Sequence, residues 1–189
     1  MVHGRGADAA SILTLADYLS TGEETILAAP DATGNTWYPF PFIYPVEMNQ
    51  PGLDSALELL KNLTESLMSG YGLSSRQICF LGFSQGACLA AEFTARNSAQ
   101  YGGVFILSGG LIGKEINRAN YSSGFNGTPV FLGCGDTDFH IPKERVIESG
   151  KIFEELGADV KTVLYPNAPH SVFDDEINII NKVLTTGRF

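Results

Sequence analysis

The chain has 189 residues, enough to bury the core of one domain, and its 44% apolar and 17% charged residues are ordinary for a globular enzyme. Its net charge of -9 and pI near 4.7 exclude the phosphate backbone of nucleic acid as a partner and disfavour stable docking on an anionic membrane. No apolar run reaches the roughly 18 residues that span a bilayer, and no signal peptide is recognisable, so we expect a cytoplasmic protein.

Short apolar, β-prone runs alternate with helical patterns along the whole chain. The patterns predict strands at 25–29, 78–81, 104–107, 129–132 and 158–164, and helices at 8–19, 52–68, 87–96, 142–155 and 172–184. Strands that are apolar on both faces and separated by helices indicate a parallel sheet with helices on both faces. No linker or repeat divides the chain, so we predict one α/β domain, residues 1–189, with functional groups at the carboxyl ends of its strands.

The beginning of the chain is unusual for such a sheet. Only Met1 and Val2 precede the loop of residues 3–6, which reads His-Gly-Arg-Gly, whereas a strand usually has about five or six residues. We therefore expect a small, mostly parallel sheet of five or six strands whose N-terminal strands are truncated. This edge of the core should be less stable than the rest.

Cysteine and histidine usage gives no sign of a metal centre. Cys79, Cys88 and Cys134 are an odd set without C-x-x-C spacing, and we expect all three to be reduced, buried thiols in a reducing compartment. The three histidines also lack the spacing of metal ligands. We expect neither a metal ion nor another cofactor.

The segment 82–86 reads Gly-Phe-Ser-Gln-Gly and lies between a predicted strand and a predicted helix. A serine on a sharp strand-to-helix turn, with a glycine two residues to either side, is the nucleophile elbow of the G-x-S-x-G pattern. The five residues alone also fit a glycine-rich turn with a capping serine. The flanking strand and helix favour the elbow, so Ser84 is the candidate nucleophile.

A serine hydroxyl needs a base to take its proton, and histidine suits that role near neutral pH. His170 lies in a predicted strand-to-helix loop at the catalytic edge, although a helix-capping or surface histidine is the alternative. Asp136 and Asp138 both follow the strand 129–132, and either could orient the imidazole. The resulting order along the chain, Ser, Asp, His, is that of α/β-hydrolases.

The oxyanion formed by serine attack needs two N–H donors. The predicted helix starts directly after Ser84, so the backbone N–H of Gln85 should point into the site with the helix dipole behind it. The glycine-rich loop 3–7 is expected to supply the second donor.

With these residues assembled, the chain resembles the phospholipase/carboxylesterase family of α/β-hydrolases, which includes acyl-protein thioesterases, nearly from end to end. Residues 3–6 are similar to its HGxG oxyanion loop, and residues 82–86 to its GFSQG elbow. Residues 135–142, Gly-Asp-Thr-Asp-Phe-His-Ile-Pro, resemble its G-D-x-D-x-x-V/I-P segment. Residues 169–171, Pro-His-Ser, match the family's sequence before the last helix.

The resemblance implies a triad of Ser84, His170 and Asp138, with the backbone amides of Arg5 and Gln85 as oxyanion donors. The resemblance assigns the shaping of the turn to Asp136, which the residues alone leave as an alternative acid. The long lid insertions of many lipases are missing, which argues against activity on insoluble lipid.

The loop 31–51 is rich in aromatic residues and proline. Trp37, Tyr38 and Phe40 in this loop, together with Leu111 after a predicted strand, are candidates for the wall of an acyl-binding cleft. The equal alternative is that the aromatic side chains seal the core where the sheet lacks strands.

These features predict a serine carboxylesterase that hydrolyses short- to medium-chain carboxylic esters, with a small-molecule ester as its substrate. Acyl-protein thioesterase and lysophospholipase activities are alternatives. An alternative of another class is a catalytically inactive hydrolase fold that serves as a binding module, since a frayed first strand would misplace the Arg5 amide. The oligomeric state stays open, with a homodimer among the options.

Overall fold

The computed structural model describes residues 1–189. Its sheet has four strands, all parallel, in the order β1-β2-β3-β4. They are β1, Cys79–Phe83; β2, Gly103–Leu107; β3, Pro129–Gly135; and β4, Asp159–Tyr165. β1 and β4 are the edge strands, and β2 and β3 are buried along their whole lengths.

Helices cover both faces of the sheet, as the alternating pattern predicts. They are α1, Ala9–Leu13; α2, Gly52–Tyr71; α3, Gln85–Arg96; α4, Lys143–Glu155; and α5, Asp174–Thr186. α3 and α4 pack on one face, with α2 against α3, and α1 and α5 pack on the other. The doubly covered α/β architecture is confirmed.

Alternate strand residues supply the two halves of the core, because successive side chains of a strand point to opposite faces. Ile106 and Leu132 join the larger cluster under α3 and α4. Phe105 and Phe131 join the smaller cluster under α5. This two-sided burial explains why the strand segments read as continuous apolar runs.

The expectation of five or six strands is wrong, because the structure has four. The segment 25–29, predicted as a strand, pairs with no other strand, and Ile26 and Leu27 are 42% and 45% exposed. Val2 occupies the free edge of β1 instead, through a single parallel bridge to Gly82. Because the Met1 amino group donates to the Ala28 carbonyl (2.6 Å), the first two residues stand between this segment and β1.

The predicted helix 8–19 is also shorter than expected. α1 ends at Leu13, and the chain continues as a 3₁₀ turn over Thr14–Tyr18. The first edge of the sheet is thus held by a single bridge, and its expected lower stability stays a prediction. A cavity of about 350 Å³ lies along it, with walls from the segment 24–28, from α2 and from the end of α5.

The three cysteines differ in burial. Cys88 and Cys134 are buried free thiols, but Cys79 is exposed beside the open edge of the sheet, so the expectation for that residue is wrong.

None of the helices combines the length and the hydropathy required to cross a bilayer.

Candidate active site

Ser84 stands at the carboxyl end of β1, as the first turn of α3 begins. Its backbone has φ 57° and ψ −121°, a strained conformation for a residue with a side chain. A Cβ on Gly82 would lie 2.7 Å from the Cα of Ala87, and a Cβ on Gly86 would collide with the carbonyl oxygens of residues 2 and 3. Gly82 therefore allows α3 to fold back closely over β1, and Gly86 allows the backbone of residues 2 and 3 to pass beside the turn. This is the geometry of a nucleophile elbow.

Asp138 and His170 meet at the carboxyl ends of β3 and β4. The His170 Nδ1–H donates to Asp138 Oδ2 at 2.6 Å, and the Asp138 side chain is fully buried. Asp138 Oδ1 accepts the backbone N–H groups of His140 (2.8 Å) and Ile141 (3.1 Å). This arrangement fixes the tautomer of His170 and leaves its Nε2 free to act as a base.

Electrostatics keep the Asp138 carboxylate ionised. Burial raises its pKa, but the hydrogen bond from His170 and the two backbone N–H donors outweigh burial, so that the pKa lies below its usual value. The carboxylate is thus a fixed negative charge beside the imidazole. Such a charge stabilises the imidazolium that forms when His170 accepts a proton.

Three successive residues of the loop after β3 (residues 136–142, the acid loop) bind the loop after β4 (residues 166–173, the histidine loop). Asp136 Oδ1 accepts from Asn167 N (2.7 Å), the Thr137 hydroxyl donates to the Ala168 carbonyl (2.8 Å), and the next residue is the acid itself. Gly135 makes this approach possible, because a Cβ there would collide with the Ala168 carbonyl oxygen. Asp136, the alternative acid, therefore shapes the turn and does not contact the imidazole.

His170 also lies against the elbow. Its ring packs on Phe83, the neighbour of Ser84, with ring centroids 4.9 Å apart. The Ser108 hydroxyl, after β2, donates to the Ser171 carbonyl at 3.3 Å and ties the histidine loop to the centre of the sheet. The Ser84 hydroxyl forms no hydrogen bond with the imidazole here. Such catalytic hydrogen bonds are often long without substrate.

The backbone N–H groups of Arg5 and Gln85 both lack an acceptor within the chain. Gln85 is the first residue of α3, where an N–H has no intrahelical partner. The loop that carries Arg5 reaches the elbow through Gly4, where an added Cβ would lie 3.3 Å from the Cβ of Ser84. The two residues predicted as oxyanion donors thus flank the serine with free N–H groups.

The residues predicted to contact substrate lie in different environments. Trp37, Tyr38 and Leu111 are 4%, 2% and 0% exposed and belong to the main core, so the aromatic loop largely seals the core. Phe40 is 41% exposed and stacks on Tyr44, with ring centroids 6.2 Å apart. Substrate contact by these four residues stays a prediction. Of the four, only Phe40 is exposed enough to favour it.

The other two histidines have structural surroundings. His3 is fully buried, its Nδ1–H donates to the Gly4 carbonyl (2.8 Å), and its Nε2 accepts from Ala32 N (3.1 Å). The exposed His140 lies edge-on to His170, with ring centroids 5.1 Å apart. No group of three or more His, Cys, Asp or Glu side chains is arranged to hold a metal ion.

Sequence reasoning missed the role of Cys134 in the acid loop. The thiol, near the end of β3, lies 3.5 Å from Asp138 Oδ2 and donates to it. Burial and the neighbouring Asp138 charge raise the pKa of Cys134 to about 12, so it remains a thiol. The sequence offers a weak signal only, the four-residue spacing between the two side chains.

Sequence reasoning also missed Glu176, a fully buried residue in the first turn of α5. One carboxyl oxygen accepts from the N–H of Phe173 at 2.9 Å, and the other has no partner and lies against Gly133 of β3. Burial raises the pKa of Glu176 to about 8. A glutamate at the third position of a helix is a capping signal that the sequence did contain.

Comparisons with known proteins agree with this fold. The model of a family described as Phospholipase/Carboxylesterase matches residues 19–187. The crystal structure of a phospholipase/carboxylesterase from Dyadobacter fermentans has a TM-score of 0.94 and 45% identity, and the match covers 98% of this chain and 88% of that chain. Esterase PE8 has a TM-score of 0.82 at 23% identity, over 97% and 89% of the two chains, a likeness of fold alone.

Curated relatives are more distant. Acyl-protein thioesterase 1 of Kluyveromyces lactis is 30% identical over 137 residues, which are 71% of this chain and 60% of the relative. Lysophospholipase-like protein 1 of Mus musculus is 24% identical over 135 residues, 71% of this chain and 56% of that protein. The chain thus spans little more than half the length of these two relatives.

Proposed function

The chain belongs to the phospholipase/carboxylesterase family, and we propose that it is a serine carboxylesterase that hydrolyses short- to medium-chain esters through an acyl-enzyme. Ser84 is the nucleophile, His170 the general base and acid, and Asp138 the group that orients the imidazole. The backbone amides of Arg5 and Gln85 bind the oxyanion.

In the first half of the reaction, the Ser84 oxygen attacks the ester carbonyl carbon as its proton passes to His170 Nε2. The carbonyl oxygen becomes an anion that accepts the two backbone N–H groups. Collapse of this tetrahedral intermediate breaks the bond to the leaving alcohol. His170 returns the proton to that alcohol, and the acyl group stays on Ser84.

In the second half, a water molecule takes the place of the alcohol. His170 removes a proton from the water as its oxygen attacks the acyl carbonyl, and the same two N–H groups bind the second oxyanion. Collapse releases the carboxylic acid and returns the proton to Ser84. The carboxylate of Asp138 stays ionised in both halves, in keeping with its lowered pKa.

The 2.6 Å hydrogen bond between His170 and Asp138, next to an elbow serine in a strained conformation, carries this proposal. The free N–H groups on either side of Ser84 add independent support.

The test is labelling with a fluorophosphonate probe, combined with p-nitrophenyl ester turnover. We expect the protein to be labelled at Ser84 and to hydrolyse p-nitrophenyl butyrate. Ser84→Ala should lose both reactions while it keeps the thermal unfolding midpoint of the parent. A Ser84→Ala variant with near-native turnover would exclude the mechanism, and a folded parent that neither reacts nor hydrolyses esters would be the inactive binding module.

A thioester or lysophospholipid substrate is the second candidate, because relatives carry the names acyl-protein thioesterase and lysophospholipase-like protein. The same acyl transfer applies, with a thiol or a glycerophosphate alcohol as the leaving group. A chain-length series of p-nitrophenyl esters, measured beside acyl-CoA and lysophosphatidylcholine, distinguishes the three classes by their kcat/KM values.

We further propose that the substrate is a small ester that contacts Phe40 at the rim of the site and that the enzyme works in the cytoplasm. The net charge of -9 supports the expectation that it binds neither nucleic acid nor, stably, an anionic membrane. Phe40→Ala should raise KM for longer acyl chains more than for acetate. Equal changes for all chain lengths would remove Phe40 from the acyl site.

A further inference from the structure

The two residues whose amides flank Ser84 also use their side chains, and both side chains bind the same short segment. This segment, Thr36–Phe40, is called the clamp segment below. The Tyr38 carbonyl of this segment accepts a hydrogen bond from each of the two side chains. The side chains belong to residues 80 positions apart, so the convergence is tertiary.

The guanidinium of Arg5 binds three successive carbonyl oxygens of the clamp segment. Its Nη2 donates to Tyr38 O (2.8 Å) and Phe40 O (3.3 Å), and its Nη1 donates to Pro39 O (3.0 Å). Arginine carries its donors in a rigid planar fork, so several bonds to one backbone stretch fix the direction of the side chain. Through the side chain, these three hydrogen bonds also restrain the backbone of Arg5.

The carboxamide of Gln85 is bound from both ends. Its Nε2 donates to Tyr38 O (2.8 Å), and its Oε1 accepts from Trp37 N (3.1 Å) and from the hydroxyl of Thr36 (3.3 Å). Gln85 is only 6% exposed, so these bonds form largely out of water. One acceptor, the Tyr38 carbonyl, therefore joins Arg5 to Gln85.

The clamp segment is itself anchored. The Trp37 indole N–H donates to His3 O (2.8 Å), and the His3 and Trp37 rings pack at 4.7 Å. At its other end, Phe40 N donates to the side chain of Asn49 (2.8 Å), which is fully buried. The shared carbonyl thus sits on a rigid support.

We propose that the side chains of Arg5 and Gln85 are positioning residues, which hold the backbone N–H groups of these same two residues in oxyanion geometry through their common attachment to the clamp segment. The proposal rests on the proposed esterase function. The side chains contact neither the substrate nor the reacting atoms. Their effect falls on the transition state, where the oxyanion exists, and not on binding of the neutral ester.

Alanine substitution separates the side chain from the amide, because Arg5→Ala and Gln85→Ala each keep the backbone N–H. With p-nitrophenyl butyrate, each variant should lose about 10- to 100-fold in kcat, less than complete loss of an oxyanion donor, with KM changed less than about threefold. The affinity for a trifluoromethyl ketone, which forms a tetrahedral oxyanion on serine, should fall by the same factor as kcat/KM.

The shared carbonyl predicts a coupled pair. The double variant should lose less than the product of the two single losses, because either substitution alone already loosens the common attachment. Arg5→Lys, which keeps one charged donor, should recover part of the loss. Gln100→Ala is the matched control, since its Nε2 also donates to one carbonyl, that of Asn126 (3.1 Å), away from the site. Its kcat should match the parent.

Three results would overturn the proposal: kcat within twofold of the parent in both single variants, unchanged affinity for the trifluoromethyl ketone despite a lower kcat, or strictly multiplicative losses in the double variant. If Arg5→Ala unfolds, Arg5→Lys and Gln85→Ala carry the same comparison. Failure of the esterase itself is a different result, because the parent protein would then show neither turnover nor fluorophosphonate labelling of Ser84.

Discussion

The two sides of the candidate site are built by different means. On the acid–base side, the loops after β3 and β4 extend from paired strands, and three consecutive residues of one loop bind the other. On the oxyanion side, the loop with Arg5 follows a single bridge between Val2 and Gly82. The first side takes its geometry from the sheet, whereas on the second side the loop with Arg5 depends, in our proposal, on side chains that bind a neighbouring loop.

This difference shows how a site can tolerate a loosely built edge. β1 carries a cavity of about 350 Å³ along its free side, and the segment beyond it is exposed. A backbone amide placed by that edge alone would have considerable freedom, and a misplacement of about 1 Å can cost roughly 100-fold in rate. Long polar side chains that reach the anchored clamp segment restore the precision that the sheet edge lacks.

The largest expected effect concerns the acid–base side. Asp138→Asn should lower kcat by about 10³- to 10⁴-fold, because an amide cannot hold the required tautomer of His170. Asp136→Asn is the matched control. It removes the same charge two residues away and keeps an oxygen for Asn167 N, so kcat should fall less than about tenfold. The reverse ranking, measured with p-nitrophenyl butyrate, would transfer the role of the acid to Asp136.

The next effect tests whether the two loops depend on their close approach. Gly135→Ala should lower kcat/KM by about 100-fold, because the new Cβ would push the Ala168 carbonyl and with it the histidine loop. Gly70→Ala is the control, since a Cβ there meets open space inside α2 and should stabilise the helix by about 0.5–1 kcal/mol. Native activity of Gly135→Ala would show that the loops can separate without loss.

The sequence predicted the acid–base side better than the oxyanion side, for a physical reason. Ser84, Asp138 and His170 each follow a strand in a short motif, so local pattern and sheet direction together predicted that they share one edge. The choice of Asp138 over Asp136 came from the family resemblance. The elbow also has a local signature, since Gly82 leaves room for the backbone of residues 86 and 87 within the same turn. Such features can be derived from neighbouring residues.

The features that the sequence did not reveal depend on contacts between distant segments. The apolar run 25–29 has the composition of a strand, but Val2 already pairs with the edge of β1 to which this run would have to bind. The sequence left Trp37 and Tyr38 equally open to lining a pocket or sealing the core, and their burial follows from contacts with His3 and with the core. No local pattern shows which aromatic residues of a proline-rich loop turn inward.

The third effect is on stability and depends on pH. Folding raises the pKa of Glu176 from 4.5 to about 8, so its contribution is fully present below about pH 4.5 and is lost as pH rises through 8. Relative to Glu176→Gln, the parent should therefore lose up to about 1.4 kcal/mol of unfolding free energy per pH unit in this interval. Urea denaturation at pH 5 and pH 8 measures this.

The pH 5 measurement is the internal control for that comparison. Glu176 is then protonated, and glutamine, of similar shape, can still accept from the N–H of Phe173. The two proteins should have similar stability at pH 5 and differ clearly at pH 8. Parallel stability curves across the interval would mean that the buried carboxyl ionises in the folded state as readily as in the unfolded chain.

The smallest expected effect tests the oxyanion side against its own strand. Val2→Ala removes buried apolar surface at the β1 edge and should cost about 1–2 kcal/mol of unfolding free energy. The substitution keeps the backbone bonds of Val2 with Leu81 and Phe83, and the clamp segment still holds Arg5, so kcat should change less than about threefold. Ile26→Ala, on the more exposed wall of the cavity, should cost less than Val2→Ala. If Val2→Ala instead lowered kcat as much as Arg5→Ala, the position of the donor would be set by packing of the sheet edge, and the contrast between the two sides of the site would disappear.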